Sequence, residues 1–312
     1  MKKLLLKFAI FISPILLLAY PLDLFLSKKL RTSGKEEYSV WSDIYDGKID
    51  AEIAIYGSSR AWVHISPQIL EDILNKKAYN FGINGHHFWL QYFRQKEFLK
   101  YNEKPKIIIY SLDNHTLRKA KELYNKEQFL PYMLWDHDIR RYTSVYKGFT
   151  WTDYYIPFIR YIGNFEETWL SSTLLSERIK GYKGQESEWD EKAERIRLNV
   201  GWYESTMDPE LYQLFDDFLQ DCKSQDIQVV FVFTPMHGPN FVTNKDEIMA
   251  AYKQLAEKHG LVFFDYSEDP AFREQQYFYN YLHLNKKGAE LLTGKLAREL
   301  KKILEKQTAP SQ

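Results

Sequence analysis

The feature that most restricts how this chain can fold is an alternation. Five apolar runs rich in β-branched or aromatic residues read as strands: AEIAIYG (51–57), KAYNFGI (77–83), KIIIYSLD (106–113), IQVVFVFTP (227–235) and LVFFDYS (261–267). Between and after them lie SPQILEDILNK, HFWLQYFRQKEFLKY, DPELYQLFDDFLQDCKS, NKDEIMAAYKQLAEKHG and NKKGAELLTGKLARELKKILEK, whose apolar residues recur three and four apart, as on one face of a helix. Strands apolar on both faces, alternating with helices, predict an α/β fold. Its mostly parallel sheet of about five strands would lie between two helical layers, in a flavodoxin-like three-layer α/β/α arrangement. Ser66 ahead of Pro67 marks one helix start, and Gly260 one helix stop.

Two stretches fall outside this rhythm. From about 116 to 205 the text turns aromatic and charged, as in FLPYMLWDHDIRRYTSVYKGFTWTDYYIPFIRYIG. It reads as an insertion between the third and fourth strands, near one rim of the sheet, where a cap or binding surface would sit. The other is the N-terminus, MKKLLLKFAIFISPILLLAYPLDLFL, in which Lys2, Lys3 and Lys7 precede an apolar run from Phe8 to Tyr20, with Phe25 as the far limit of any extension. This reads as an export signal, and it lacks the paired small residues of a cleavage site because Leu17 and Pro21 flank Ala19. The expectation is an uncleaved transmembrane helix, kinked by Pro14, as a single-pass anchor over 1–26. Its orientation would be N-in and C-out, although Lys28, Lys29, Arg31 and Lys35 weaken the charge bias. A tether over 27–48, an α/β domain over 49–306 outside the cytoplasmic membrane (periplasmic or extracellular), and a frayed tail over 307–312 complete the expected organisation.

Composition narrows the function classes. The 42 basic and 42 acidic residues cancel and are interleaved, so no overall field draws the protein to nucleic acid. The single cysteine, Cys222, excludes an intramolecular disulfide, and its place in a helical segment reads as a buried thiol, not a nucleophile. Asp136-His137-Asp138 has no second ligand cluster at metal-site spacing, so neither a metal nor another cofactor is expected.

In a parallel sheet, functional residues gather beyond the carboxyl ends of the strands. Here those loops read Gly57-Ser58-Ser59-Arg60, then NFGINGHH (80–87), Asp113-Asn114-His115, Thr234-Pro235-Met236-His237-Gly238 and finally Asn280-Tyr281-Leu282-His283-Leu284-Asn285. Every loop is polar, and together they hold a serine, glycines able to present backbone amides, and several histidines.

These blocks, GSSRA, NFGING, SLDNH and above all the late NxxHLNxxGA, resemble in order the SGNH (GDSL-type) hydrolase superfamily across about residues 50–300. They resemble most its membrane-anchored cell-envelope branch of D-alanyl-transfer and polysaccharide O-acetylation proteins. The resemblance implies that Ser59 is the nucleophile and His283 the general base. It also implies that an amide of Gly82 or Gly85 joins that of Ser59 in holding an oxyanion. Two positions depart from the pattern. Asn280 stands where the family carries an acid, able to orient the imidazole but not to stabilise an imidazolium as a carboxylate would; Asp265 is a conceivable substitute. Asp113 stands at the oxyanion-asparagine column with Asn114 one place later, so Asn114 is a shifted candidate, and an inward Asp113 carboxylate would repel an oxyanion. Arg60 can bind an anionic group or form a structural ion pair, and of the other histidines His237 is the best placed to line the pocket. Asn285 reads as the N-cap of the last helix.

What the resemblance implies is a serine esterase or O-acyl(acetyl)transferase, anchored at the membrane and acting on cell-envelope glycans through an acyl-serine intermediate. A multi-spanning acyltransferase in the bilayer is the implied partner. The alternative is a catalytically weak or inactive SGNH-fold scaffold, or a glycan-binding subunit of an envelope assembly, with Asn280 the mark of a decayed triad.

Overall fold

The structure is a computed structural model that describes residues 2–34, 36–163 and 178–308. The chain divides into two compact units, one made of Asp43–Lys119 with Arg178–Gln312, the other of Met1–Ser42 with Ala120–Glu177. Residues 164–177 of the expected insertion and 309–312 of the expected tail lie outside the described residues.

The first unit holds the sheet. Its strands are β1 (Ile53–Gly57), β2 (Ala78–Asn80), β3 (Ile107–Leu112), β4 (Gln228–Phe233) and β5 (Val262–Asp265), one inside each of the five apolar runs. They pair in parallel in the order β2-β1-β3-β4-β5, so the expected α/β architecture is the observed one. The order reverses between β1 and β3, and the loops leaving those two strands diverge to opposite sides there and leave a crevice.

Side chains alternate across a strand, and here the two faces differ in kind. Ile53, Ile55, Ile107, Ile109, Val230 and Val232 form an aliphatic face that packs against leucines of the helices Pro67–Leu74 and Lys286–Thr308. Tyr56, Tyr110 and Phe231 point the other way, toward the helices Phe88–Tyr101 and Pro209–Ser224. Phe215 is the hub of that layer, with ring centroids 4.7 Å from Phe88, 5.0 Å from Tyr110 and 5.7 Å from Phe231. Truncating such a ring to alanine is expected to cost about 3–5 kcal/mol. Gly260 ends the helix Lys245–His259 in the left-handed conformation, φ 68°, as its sequence position suggests.

One element was not legible beforehand. Beyond β5, β6 (Phe278–Asn280) and β7 (His283–Leu284) form a short antiparallel pair in which Asn280 lies opposite His283. Phe278 and Leu284 are fully buried beneath it and fix its seat.

The second unit gathers the N-terminus and the inserted segment. Its longest helix spans Lys2–Arg31 and contains Pro14 and Pro21. Among the described residues no helix is long and apolar enough to cross a membrane. Near its carboxyl end this helix packs into protein: Leu26 and Leu30 are buried, and Asp23 accepts both guanidinium branches of Arg160 at 2.6 and 2.7 Å. Asp23 also accepts the Phe158 amide at 2.6 Å, while Arg31 donates to the Pro131 carbonyl at 2.7 Å. The stretch read as a tether, 27–48, is largely helical, continuing as Glu36–Tyr45, and Trp41 donates its indole N–H to Gln128 at 2.9 Å. Apolar residues at helical spacing in 36–45 find partners in the aromatic insertion, which local sequence does not show.

Candidate active site

The loop after β1 starts from a glycine because nothing else fits. Gly57 has φ +147°, and a Cβ there would lie 2.7 Å from the Ser111 carbonyl oxygen and 2.8 Å from Ala61 Cβ. The chain then enters the short helix Ser59–His64. Ser58 is its N-cap; its hydroxyl donates to Asp113 Oδ2 at 2.6 Å and accepts from the Arg60 amide at 3.4 Å. With Ser58 capping, Ser59 at the first helical position is left to face the cleft.

Ser59 Oγ lies 2.8 Å from His283 Nε2, and His283 Nδ1 lies 3.0 Å from Asn280 Oδ1. The roles within this line follow from its neighbours. Asn280 Oδ1 also accepts the backbone amides of Leu282 at 2.9 Å and His283 at 3.0 Å, so the atom there must be the oxygen. The His283 Nδ1 therefore carries the proton, Nε2 is the acceptor, and Ser59 donates to it. Burial pushes the His283 pKa down to about 3, with the Arg60 charge acting in the same direction and Asp113 against it. The imidazole is thus neutral and proton-accepting at physiological pH. The Tyr279 ring stacks on it at 5.4 Å.

A second histidine, not singled out from the sequence, seats the first. His64 accepts the Leu284 amide on Nε2 at 2.9 Å and donates from Nδ1 to Thr234 Oγ1 at 2.8 Å. It thereby ties the residue following His283 to the end of β4. Burial, reinforced by Arg60 and His283, holds its pKa well below the ordinary histidine value.

Several expected roles are corrected by hydrogen-bond accounting. The Gly82 amide donates to Asn80 Oδ1 at 2.8 Å, and Asn80 Nδ2 is held by the carbonyls of Ala61 and Ile65, so Gly82 is not free to serve an oxyanion. Gly85 lines the cleft, and its amide makes no hydrogen bond to another described residue. Arg60 is buried over the Phe233 ring and donates from Nε to Thr234 Oγ1 at 2.9 Å and from Nη2 to the Thr234 carbonyl, so two of its three nitrogens are held by the protein. Burial, opposed by Asp113 and Asp265, brings its pKa down to about 10. His237 does not line the cleft; its ring lies between Trp189 at 4.9 Å and Phe278 at 5.3 Å. Asp265 accepts from Ser267 on the exposed side of the sheet edge and has no contact with His283. Asn285 caps the last helix by accepting the Gly288 amide at 3.1 Å.

Asp113 and Asn114 both reach the crevice. The Asp113 carboxylate accepts from Ser58 and, at 2.7 Å, from the His115 amide. Burial alone would raise its pKa; His115, His87, the Ser58 hydroxyl and Arg60 together hold it below the usual carboxylate value. Asn114 donates from Nδ2 to Asn240 Oδ1 at 3.0 Å. The cleft has a volume of about 160 Å³ and opens directly over Ser59 and His283. Its walls include His87, Tyr203, Phe241 and Tyr281. Burial lowers the His87 pKa to about 4. Among the described residues no group of three or more His, Cys, Asp or Glu side chains is arranged to hold a metal ion.

No protein-family model matches the chain, and no curated protein does. Among solved structures, the chain is similar to a candidate platelet activating factor from Streptococcus pneumonia at 12% identity and a TM-score of 0.44, over 90% of this chain and 96% of that one. It is also similar to the acetyl xylan esterase AlAXEase at 10% identity and a TM-score of 0.41, over 80% and 99% of the two chains. Likeness at this level transfers no activity, so the chemistry is read from the cleft itself.

Proposed function

We propose that the protein is a serine-dependent acyl-ester enzyme. The observation that carries this reading is the 2.8 Å approach of Ser59 Oγ to a His283 Nε2 whose acceptor state is set by Asn280. As the Ser59 oxygen attacks an acyl carbonyl carbon, its proton passes to His283 Nε2. The Ser59 amide, at a helix start with no intrahelical acceptor, and the Gly85 amide are the candidate donors to the developing oxyanion. The proton on Nε2 then goes to the departing alkoxide, leaving acyl-Ser59. Water entering next gives hydrolysis; a sugar hydroxyl gives transfer.

Asn280 does not argue against this chemistry as strongly as its missing charge implies. Replacing the acid of a triad by asparagine is ruinous chiefly when the amide enforces the wrong imidazole tautomer. Here two backbone amides turn the Asn280 oxygen toward Nδ1, so the productive tautomer is kept and only the carboxylate's stabilisation of the imidazolium is lost. We place the acyl group, acetyl in the simplest case, on a cell-envelope glycan, with the protein attached to the membrane through its N-terminal helix. Support for attachment comes from the lysine-tipped apolar N-terminus and the exposure of Leu17, Leu18, Leu22 and Phe25. Carbonate extraction of membranes checks it: a spanning or deeply seated helix resists extraction, and release into the supernatant removes the anchor.

The direct test of the reaction is labelling of the full chain by a fluorophosphonate probe, repeated on Ser59→Ala and His283→Ala. Labelling of the wild type alone supports the reading. Labelling that survives in Ser59→Ala removes Ser59 as nucleophile, and an unlabelled wild type favours the scaffold alternative that Asn280 motivates.

A further inference from the structure

The second unit carries an apolar surface that its own core does not use. Most of the large hydrophobic side chains left exposed among the described residues lie in this unit, although it is the smaller of the two. Its long helix shows how they are ordered. In Lys2–Arg31, the residues Asp23, Leu26, Ser27 and Leu30, three and four apart, are buried in the unit's own interior. A second face at the same spacing runs Leu17, Tyr20, Leu24, Lys28, Arg31 and changes along its length from apolar to basic. Leu17 on that face is 74% exposed and Leu24 is 50% exposed.

Tyr20, Leu24, Lys28 and Arg31 line one wall of a cavity of about 410 Å³, and Tyr132 and Trp135 of the insertion line another. The Tyr20 and Trp135 rings stand 5.4 Å apart. Trp135 has φ +60°, a costly conformation for a bulky residue, and its indole N–H is held by the Tyr155 carbonyl at 3.0 Å while the side chain stays 57% exposed. No burial within the chain offsets that strain. The charges of the cavity are unbalanced. Its only lining acid, Asp23, is bonded to Arg160. The Lys28 ammonium has no partner among the described residues. Arg31 gives Nε and Nη2 to the Pro131 carbonyl at 3.0 and 2.7 Å, which leaves Nη1. Two cations thus lack a counter-ion, and they follow the apolar run on the side where an anchor with its N-terminus inside carries few.

We propose that this cavity binds one anionic phospholipid and that the apolar surface around it rests in the bilayer. The headgroup phosphate pairs with Lys28 and with Arg31 Nη1, and an acyl chain lies along Leu24, Tyr20 and Leu17 beside the Trp135 ring. From Lys28 back to Leu17 the helix rises about 16 Å, close to the roughly 15 Å depth of one hydrocarbon leaflet. Tyr20 and Trp135 then occupy the interfacial zone that tyrosine and tryptophan favour. The inference shares with the proposed function only the attachment of this helix to the membrane, and it is independent of the chemistry at Ser59. It also gives the aromatic insertion a task, as the second wall of a lipid site.

The test is quenching of tryptophan fluorescence by brominated lipids in the full chain reconstituted into phosphatidylcholine vesicles, with the Trp135→Phe signal subtracted to isolate Trp135. One series receives acyl-brominated phosphatidylglycerol and the other acyl-brominated phosphatidylcholine. Half-quenching of Trp135 is expected at a mole fraction about 10- to 30-fold lower for the anionic lipid, and Lys28→Gln is expected to reduce that preference roughly 5-fold. Should Trp135→Phe fold poorly, the ratio of total wild-type quenching by the two lipids gives the same reading. Equal quenching by both lipids would overturn the headgroup site, and absence of Trp135 quenching by either would show that this surface does not meet the bilayer. A preference undiminished in Lys28→Gln would remove the basic pair as its cause. Resistance to carbonate extraction without preferential quenching keeps the anchor and sinks this site alone; carbonate release with preferential quenching sinks the spanning helix alone.

Discussion

Ser58 and Ser59 are neighbours in one motif and have opposite fates. Ser58 gives its proton to Asp113 and takes one from the Arg60 amide, so its bonding capacity is used by the protein. Among the described residues the Ser59 hydroxyl has one partner, His283 Nε2, and Ser59 otherwise lines the cleft. The same split separates Gly82, whose amide is bound by Asn80, from Gly85, which lines the cleft and whose amide makes no hydrogen bond to another described residue. It also separates Arg60 Nε, held by Thr234, from His87 Nδ1, which has no partner among the described residues. Within a polar constellation, groups saturated by the fold build the scaffold and those left with spare capacity are available for chemistry.

That contrast can be broken most severely at the two serines. Ser59→Ala and His283→Ala are each expected to lower ester turnover by about 10⁴–10⁶-fold while leaving the circular dichroism spectrum unchanged. Ser58→Ala should do the reverse, costing about 1–2 kcal/mol in denaturant unfolding through the lost cap and the donor removed from Asp113 Oδ2, with turnover reduced far less. Equal kinetic losses at both positions would refute the division.

His64 tests whether a saturated residue can still matter through its neighbour. His64→Ala removes the bonds to Thr234 and to the Leu284 amide, so kcat should fall on the order of 100-fold through misplacement of His283. The variant should restore little with added imidazole, since the base is displaced and not missing; wild-type kcat would show that His64 does not position it.

Asn280→Asp sharpens the comparison from the other side. A carboxylate accepting the same three donors would stabilise the imidazolium, raise the His283 pKa toward the ordinary histidine value and increase kcat at neutral pH about tenfold. The wild-type pH profile should show no acid limb near 6.5, because His283 titrates only near about 3. The variant should gain a limb at higher pH. Unchanged profiles would mean that His283 is not the titrating base.

The smallest effect is thermodynamic. His64, His87 and His283 are buried neutral, with His87 at about 4 and His283 at about 3, whereas each titrates near about 6.5 when unfolded. Between those limits the unfolded chain binds more protons. Stability from these groups is therefore complete above about 6.5 and declines as pH falls toward the folded-state values, by on the order of 1–3 kcal/mol per histidine. Denaturant midpoints that stay level from pH 7 to pH 4.5 would contradict this.

How far the site was legible depended on the range of the interactions that define it. The five strands and their helices follow from local periodicity, and Ser59 and His283 stand out because their blocks occur in order along the chain. Asn280 was legible as a partner by its spacing, but its oxygen-inward orientation comes from the β6–β7 pairing and two backbone amides. His64 gave no signal in the sequence, because a histidine inside an apolar helical stretch looks the same whether it packs or positions.

Local pattern alone thus determined the α/β alternation and the strand that must halt at Gly57, while the candidate pair of hydroxyl and imidazole 224 residues apart came from the resemblance of the ordered blocks to a known family. Tertiary structure decided which polar groups were spent. It assigned Gly82 to Asn80, Arg60 to Thr234, and Asp23 in the N-terminal helix to Arg160 of the insertion. Apolar periodicity is a property of neighbours a few residues apart, whereas satisfying a buried donor or acceptor depends on whichever segment the fold brings within about 3 Å, however distant in the chain.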